Sequence, residues 1–221
     1  MTAIDAPESV PVNRVRTKIC GVTSPADARA AAAAGADAVG LVFAERSTRR
    51  VTTECAAEIA AALPPFVSRV ALFMDNDARE IADVLDAVPL DFLQFHGAEP
   101  ASFCNGFDRP YIKAVPMGEP GVRLTDWAER YPRASAFLLD ANRVGEAGGQ
   151  GQAFDWRIAV EAIDRPIVIA GGLDPDNVGA AIARFSPYAV DVSSGVESAP
   201  GRKCSERMRA FVNAATEMGK A

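Results

Sequence analysis

The chain has 221 residues, of which 49% are hydrophobic and 24% charged, and its formal net charge is -6. That length and composition fit one packed globular domain. The acidic balance argues against an extended nucleic-acid surface, and no apolar run reaches the length of a membrane span, so neither nucleic acid nor membrane is an expected partner.

Residues 1 to 14, MTAIDAPESVPVNR, lack the basic start and apolar middle of a signal peptide and read as a flexible N-terminal extension. The first strand-like run is Val15 to Cys20. A helix pattern follows at Ser24-Pro25, where serine can cap and proline fits the first turn. Asp37 to Phe43 is the second run, with a helix from about Thr53 to Leu63. Phe66 to Phe73 precedes a helix over Asp77 to Ala87, and Leu90 to Phe95 precedes one from about Glu99. Tyr111 to Val115 leads to a helix from about Leu124. Ala136 to Asp140 is the sixth run, and a long loop separates it from a helix near Phe154 to Ile163. Pro166 to Ala170 leads to a helix capped by Asp174-Pro175. Tyr188 to Val192 is the eighth run, and a helix from about Ser205 to Glu217 follows it.

Eight strand-like runs, each followed by a helix pattern, imply parallel strands joined by helical crossovers. Residues 15 to 221 are therefore expected to form one α/β domain, a (β/α)8 TIM barrel, for which roughly 250 residues is typical. A doubly wound open sheet is the alternative. The four cysteines, Cys20, Cys55, Cys104 and Cys204, include no CxxC pair, and His96 is the only histidine. This weighs against a metal site and a disulfide framework and points to a reducing, cytoplasmic setting.

A barrel places its chemistry at the C-terminal ends of its strands. Strand one ends at Cys20, strand four at Gln94-Phe95-His96-Gly97, strand six at Asp140, strand seven at Gly171-Gly172 and strand eight at Asp191-Val192-Ser193-Ser194-Gly195. The other three cysteines fall in predicted outer helices. The loops after strands six, seven and eight bring forward Gly149, Gly151, Gly171, Gly172, Ser193, Ser194 and Gly195. Glycines let backbone N–H groups approach an anion, serines add hydroxyl donors, and such loops often hold phosphate. Turn-making alone is the plainer reading of any one glycine pair.

Cys20 shares a strand face with Lys18 two residues earlier, and a nearby cation favours a thiolate; a packed, inert cysteine is the alternative. Asp140 ends four apolar residues, where a carboxylate is costly to bury unless paired or functional, and a raised pKa there would suit a general acid. Its other reading is a helix cap or an ion pair with Arg143. Arg49 can hold a carboxylate by two points, although Arg46 and Arg50 stand beside it. His96 reads as a loop anchor, as a support for another residue, or as a substrate contact. Asp191 reads equally as a ligand for a sugar hydroxyl or as a brace for the last loop.

Together, KICG at Lys18–Gly21, GADAVG at Gly35–Gly40, STR at Ser47–Arg49, LQFHG at Leu93–Gly97, LLD at Leu138–Asp140, GGQG at Gly148–Gly151, FDW at Phe154–Trp156, GGL at Gly171–Leu173 and DVSSGVE at Asp191–Glu197 resemble the phosphoribosylanthranilate isomerase family of tryptophan biosynthesis. The resemblance runs from about Val15 to the last helix. It implies an Amadori rearrangement of N-(5'-phosphoribosyl)anthranilate, with Asp140 as general acid and Cys20 as general base. It also implies Arg49 on the anthranilate carboxylate, phosphate held by the glycine loops and by Ser193-Ser194, and no cofactor. Two places depart from the family pattern: Gln150 stands where Thr or Ser is common, and Arg50 where an aromatic residue is common. The partner implied is a small phosphorylated substrate, and the chain is expected to be a monomer or a homodimer. The alternatives are a ProFAR-type isomerase of histidine biosynthesis, which has an aspartate at strand one, and a sugar-phosphate-binding barrel without chemistry.

Overall fold

Branched and aromatic residues fill both faces of the apolar runs, so each run is buried on two sides, as a parallel strand under helices must be. A computed structural model describes residues 14–141 and 161–218. The strands are β1 (Arg16–Cys20), β2 (Ala38–Val42), β3 (Ser68–Phe73), β4 (Phe92–Phe95), β5 (Tyr111–Pro116), β6 (Ala136–Asp140), β7 (Ile167–Ile169) and β8 (Ala189–Val192). They form a closed barrel in sequence order, and parallel pairing of Arg16 with Ala189 through Ile19 with Val192 closes β1 onto β8. The expected (β/α)8 barrel is the observed fold, and all eight expected runs become strands.

The helices are α1 (Pro25–Ala34), α2 (Thr53–Ala62), α3 (Ala78–Ala87), α4 (Ala101–Cys104), α5 (Leu124–Arg130), α6 (Val178–Phe185) and α7 (Ser205–Met218). Ser24, Thr52 and Asp77 cap α1, α2 and α3 by accepting from the amides of Asp27, Cys55 and Glu80, the ordinary start signal of a helix. Other expectations need correction. The helix expected from Glu99 is the single turn α4. The helix after β7 begins at Val178, not at Asp174. The Asp174 carboxylate accepts from the amides of Asp176 and Asn177, while Asn177 accepts from the amide of Asp174, and this local turn competes with helix. Cys204 lies just before α7 and not in a helix. The expected helix near Phe154 lies almost wholly outside the described residues, as does the N-terminal extension except for Arg14, whose guanidinium donates to Asp37 at 2.9 Å.

Beyond β8, a short 3-10 turn (Ser194–Val196) leads into a small antiparallel hairpin, β9 (Glu197–Ala199) with β10 (Arg202–Lys203). The sequence reading did not anticipate it.

The main core lies between the barrel and the helices. Alternate strand residues such as Ile19, Leu41, Leu139 and Val190 point there and are fully buried, following the two-residue period of a strand. Phe95 is its aromatic centre, with ring contacts to Phe73, Phe103, Phe107 and Tyr111. Burying each such ring contributes about 1.5–3 kcal/mol. The other alternate residues face the barrel axis, and Cys20, Val42, Ala44 and Leu72 cluster among them. No described helix is long and apolar enough to cross a membrane.

Candidate active site

The C-terminal ends of the strands surround one cavity of about 410 Å³, lined by Cys20, Arg49, Gln94, His96, Asp140, Gly171, Gly172, Asp191, Ser193 and Ser194 among others. Nine of the twelve site residues expected from sequence therefore line one mouth, and Gly149 and Gly151 lie outside the described residues. Gly195 sits just behind the lining, where its backbone presses against the loop after β7. A Cβ there would lie 2.0 Å from the Leu173 carbonyl oxygen, so the loops after β7 and β8 touch backbone to backbone. Arg143 is also outside the described residues.

Cys20 ends β1 and is 5% exposed. Gly40 of β2 makes room for it, since a Cβ at position 40 would lie 2.7 Å from its Sγ. The expectation that Lys18 makes this thiol acidic needs correction. Lys18 donates to Asp191 Oδ1 at 2.8 Å, so much of its charge is already answered. Burial, which opposes charge on Lys18, is outweighed by Asp191 and Cys20, and the ammonium pKa stands at about 12. Burial pushes the Cys20 thiol above its ordinary value; Lys18 and Lys203 pull it down, and Asp191 adds to the rise. The resting group is a thiol. Asp191 therefore pairs with Lys18 of β1 while also lining the cavity.

Asp140 ends β6 with its carboxylate 9% exposed, and Oδ2 lies 3.1 Å from His96 Nε2. On the other side of the ring, Nδ1 lies 3.2 Å from the amide nitrogen of Gln94. The ring bridges the Gln94 side-chain amide and the Asp140 carboxylate, and a ring that accepts at Nδ1 turns an Nε2–H toward Asp140. His96 thus does more than anchor a loop. Gln94, fully buried two residues before it, is a member of the site that sequence reasoning did not single out. Its place on the same strand face as His96 was the available signal.

Arg49 lies in the loop after β2 and lines the cavity. Its Nε and Nη2 donate to the two oxygens of Glu197 at 2.7 and 2.8 Å. Arg50 instead pairs at 3.2 Å with Glu80, both side chains being more than 40% exposed, and it does not line the cavity. Lys203 of β10, its side chain fully buried, donates to Glu197 at 2.7 Å and to the Ser193 carbonyl at 3.0 Å. Burial works against the Glu197 charge, but Arg49 and Lys203 together hold its carboxyl below the usual range. The Lys203 ammonium is pushed down by burial despite Glu197. The role of Glu197 and the presence of Lys203 escaped the sequence reading, because the hairpin that unites them has no local signature.

A closed parallel barrel with a thiol, a histidine-paired carboxylate and glycine-rich loops at its C-terminal mouth places the chain among the (β/α)8-barrel proteins. The chain belongs to the N-(5'-phosphoribosyl)anthranilate isomerase family, whose model matches residues 17–214. It is 54% identical over 200 residues to N-(5'-phosphoribosyl)anthranilate isomerase of Pseudomonas aeruginosa, covering 90% of this chain and 94% of that one. The solved phosphoribosyl anthranilate isomerase of Thermotoga maritima is 40% identical, with a TM-score of 0.80 over 91% of this chain and 98% of its own. A further solved isomerase, 37% identical with a TM-score of 0.74 over 91% of this chain and 98% of its own, is in complex with reduced 1-(o-carboxyphenylamino)-1-deoxyribulose 5-phosphate.

Proposed function

We propose that Cys20 and Asp140 carry out the family's isomerisation as general base and general acid. The activity is that of an N-(5'-phosphoribosyl)anthranilate isomerase, a step of tryptophan biosynthesis. One observation carries the residue assignment: a thiol from β1 and a carboxylate from β6, strands that are not neighbours in the barrel, line the same cavity.

Asp140 gives a proton to the ribose ring oxygen, the C1–oxygen bond breaks, and a cationic imine forms between C1 and the anthranilate nitrogen. Cys20 takes the C2 proton, leaving an enolamine. Protonation at C1 and loss of the enol proton give the ketone. Atoms and electrons balance within the substrate, so the chemistry calls for no redox cofactor. Proton transfers by positioned groups supply about 10²–10⁴-fold each. Because the resting group is a thiol, Cys20 must lose its own proton before it takes the one from C2: the cationic imine beside it favours that ionisation, and the carboxylate left at Asp140 after ring opening is the acceptor that balances it.

Arg49 has Nη1 left over from its grip on Glu197, and we assign that edge to the anthranilate carboxylate. The phosphate goes to the amides and hydroxyls around Gly171, Gly172 and Ser193–Gly195, with Gly149 and Gly151 assigned there from the family resemblance. His96 serves Asp140, and Asp191 serves Lys18. The four cysteines are unpaired, which supports a cytoplasmic setting. A solved structure 36% identical to this chain is that of monomers generated from the dimeric isomerase of Thermotoga maritima, and a monomer or a homodimer is the assembly we assign here.

The test is anthranilate fluorescence during turnover of freshly made phosphoribosylanthranilate. Cys20→Ser and Asp140→Asn are each expected to lose at least about 10² in kcat. Full turnover by Cys20→Ser returns that cysteine to a packing role. An inactive wild type would leave a phosphate-binding barrel.

A further inference from the structure

Lys113 lies on β5, outside the cavity, with its side chain fully buried. Its Nζ has three protons to donate and three acceptors around it: the Phe95 carbonyl at 3.1 Å, the Gly97 carbonyl at 2.6 Å and Glu99 Oε2 at 2.9 Å. The two carbonyls flank His96. The other Glu99 oxygen accepts from the amides of Asp75 at 2.9 Å and Gly97 at 3.2 Å, and Asp75 in turn accepts from the amide of Ala98 at 2.8 Å. The His96 amide itself donates to the Phe73 carbonyl at 2.8 Å. One buried ion pair thus fixes the peptide on both sides of His96 and ties it to the loop after β3.

Stability does not account for this arrangement, because a buried ion pair is often no better than an apolar pair of the same volume. Placement does. A ring that must present Nε2 to Asp140 needs its backbone held, and a shift of about 1 Å at a reacting group can cost about 10²-fold in rate.

We propose that the Lys113–Glu99 pair is a positioning device for the proton donor, fixing His96 in place and, through its ring, the carboxylate of Asp140. The proposal rests on the reading of Asp140 as the general acid.

His96 is the only histidine in the chain, so the ring 15N–1H spectrum of untagged protein is a single spin system. Wild type is expected to show Nε2 protonated and Nδ1 as acceptor. In Lys113→Met the ring shifts are expected to move toward a mixture of tautomers, with kcat down roughly tenfold or more and KM within about threefold. In a His96→Ala background the same substitution should cost less than about twofold further. A folded Lys113→Met protein with wild-type ring shifts overturns the proposal, as does a kcat loss that persists undiminished without His96. If Lys113→Met does not fold, Glu99→Gln, which keeps the shape and removes the charge that pairs with Lys113, decides: moved ring shifts support the proposal and unmoved ones overturn it. The spectrum needs no turnover. An active Asp140→Asn enzyme would therefore remove the acid assignment, while the ring shifts still decide whether the pair fixes His96.

Discussion

Arg49 and Glu197, 148 residues apart, meet in a two-point contact, with Nε and Nη2 each on one carboxylate oxygen at 2.7 and 2.8 Å. The same carboxylate takes Lys203, and Lys203 holds the backbone of Ser193. The arginine assigned to the substrate carboxylate is thus tied to the loop assigned to the phosphate. Within this group of three, two cations face one carboxylate, a local excess of positive charge beside the place assigned to a substrate carrying both groups. A guanidinium fixed along one edge also enters binding with little rotamer freedom left to lose.

Arg49→Lys is therefore expected to raise KM about tenfold or more, because an ammonium cannot grip Glu197 and a second carboxylate with one planar fork. Arg50→Lys, which alters only an exposed pair with Glu80, should stay within about twofold. Steady-state kinetics on the two variants decides between the neighbours, and a larger KM effect at Arg50 would sink the assignment. Glu197→Ala should also destabilise the fold by about 3–5 kcal/mol, read as a lower urea midpoint, because it leaves buried cations without their partner.

Gly195→Ala tests the junction of the last two loops. The new methyl would meet a carbonyl oxygen at 2.0 Å, and backbone cannot yield as a side-chain tip can. The loops after β7 and β8 must part. The expected result is product inhibition weakened about tenfold or more, with a smaller change in kcat. Unchanged affinity for the phosphorylated product would mean that these loops do not hold the phosphate.

The barrel was legible because each of its strands is a local signal, a short apolar run followed by a turn, and three of the helices add a side-chain cap. The site residues were legible for the same reason. Cys20, His96, Asp140 and Asp191 stand at or just past the C-terminal ends of strands, where a barrel keeps its chemistry. What stayed hidden was which side chains pair, whether across an unsignalled hairpin or across the barrel. Nothing near Lys203 in the sequence says that it meets Glu197, and nothing near Lys113 says that its ammonium reaches the carbonyls beside His96. Asp191 shows the same limit: its position was readable, but its partner Lys18 lies 173 residues away. Charge within a strand was also misleading. Lys18 beside Cys20 suggested an acidic thiol, yet burial and Asp191 outweigh it.

The two neighbours of Cys20 should therefore move its reactivity in opposite directions. Lys18→Met removes a charge that lowers the thiol pKa, and Asp191→Asn removes one that raises it. Iodoacetamide labelling of the Cys20 peptide between about pH 7 and 9, followed by mass spectrometry, reads the thiolate fraction. Wild type should label more slowly than a free thiol, Lys18→Met more slowly still, and Asp191→Asn faster. Equal labelling of the two folded variants would show that burial alone sets the thiol. A thiol kept protonated by the fold stabilises it fully below the unfolded pKa, and the contribution fades as pH climbs through the folded value. Cys104 shares that sign: burial, the largest influence, carries it from 9.0 to about 11. Urea midpoints of wild type should accordingly fall between about pH 9 and pH 11. Cys104→Ala should fall less over that interval, and an equal fall in both proteins would remove Cys104 as a cause.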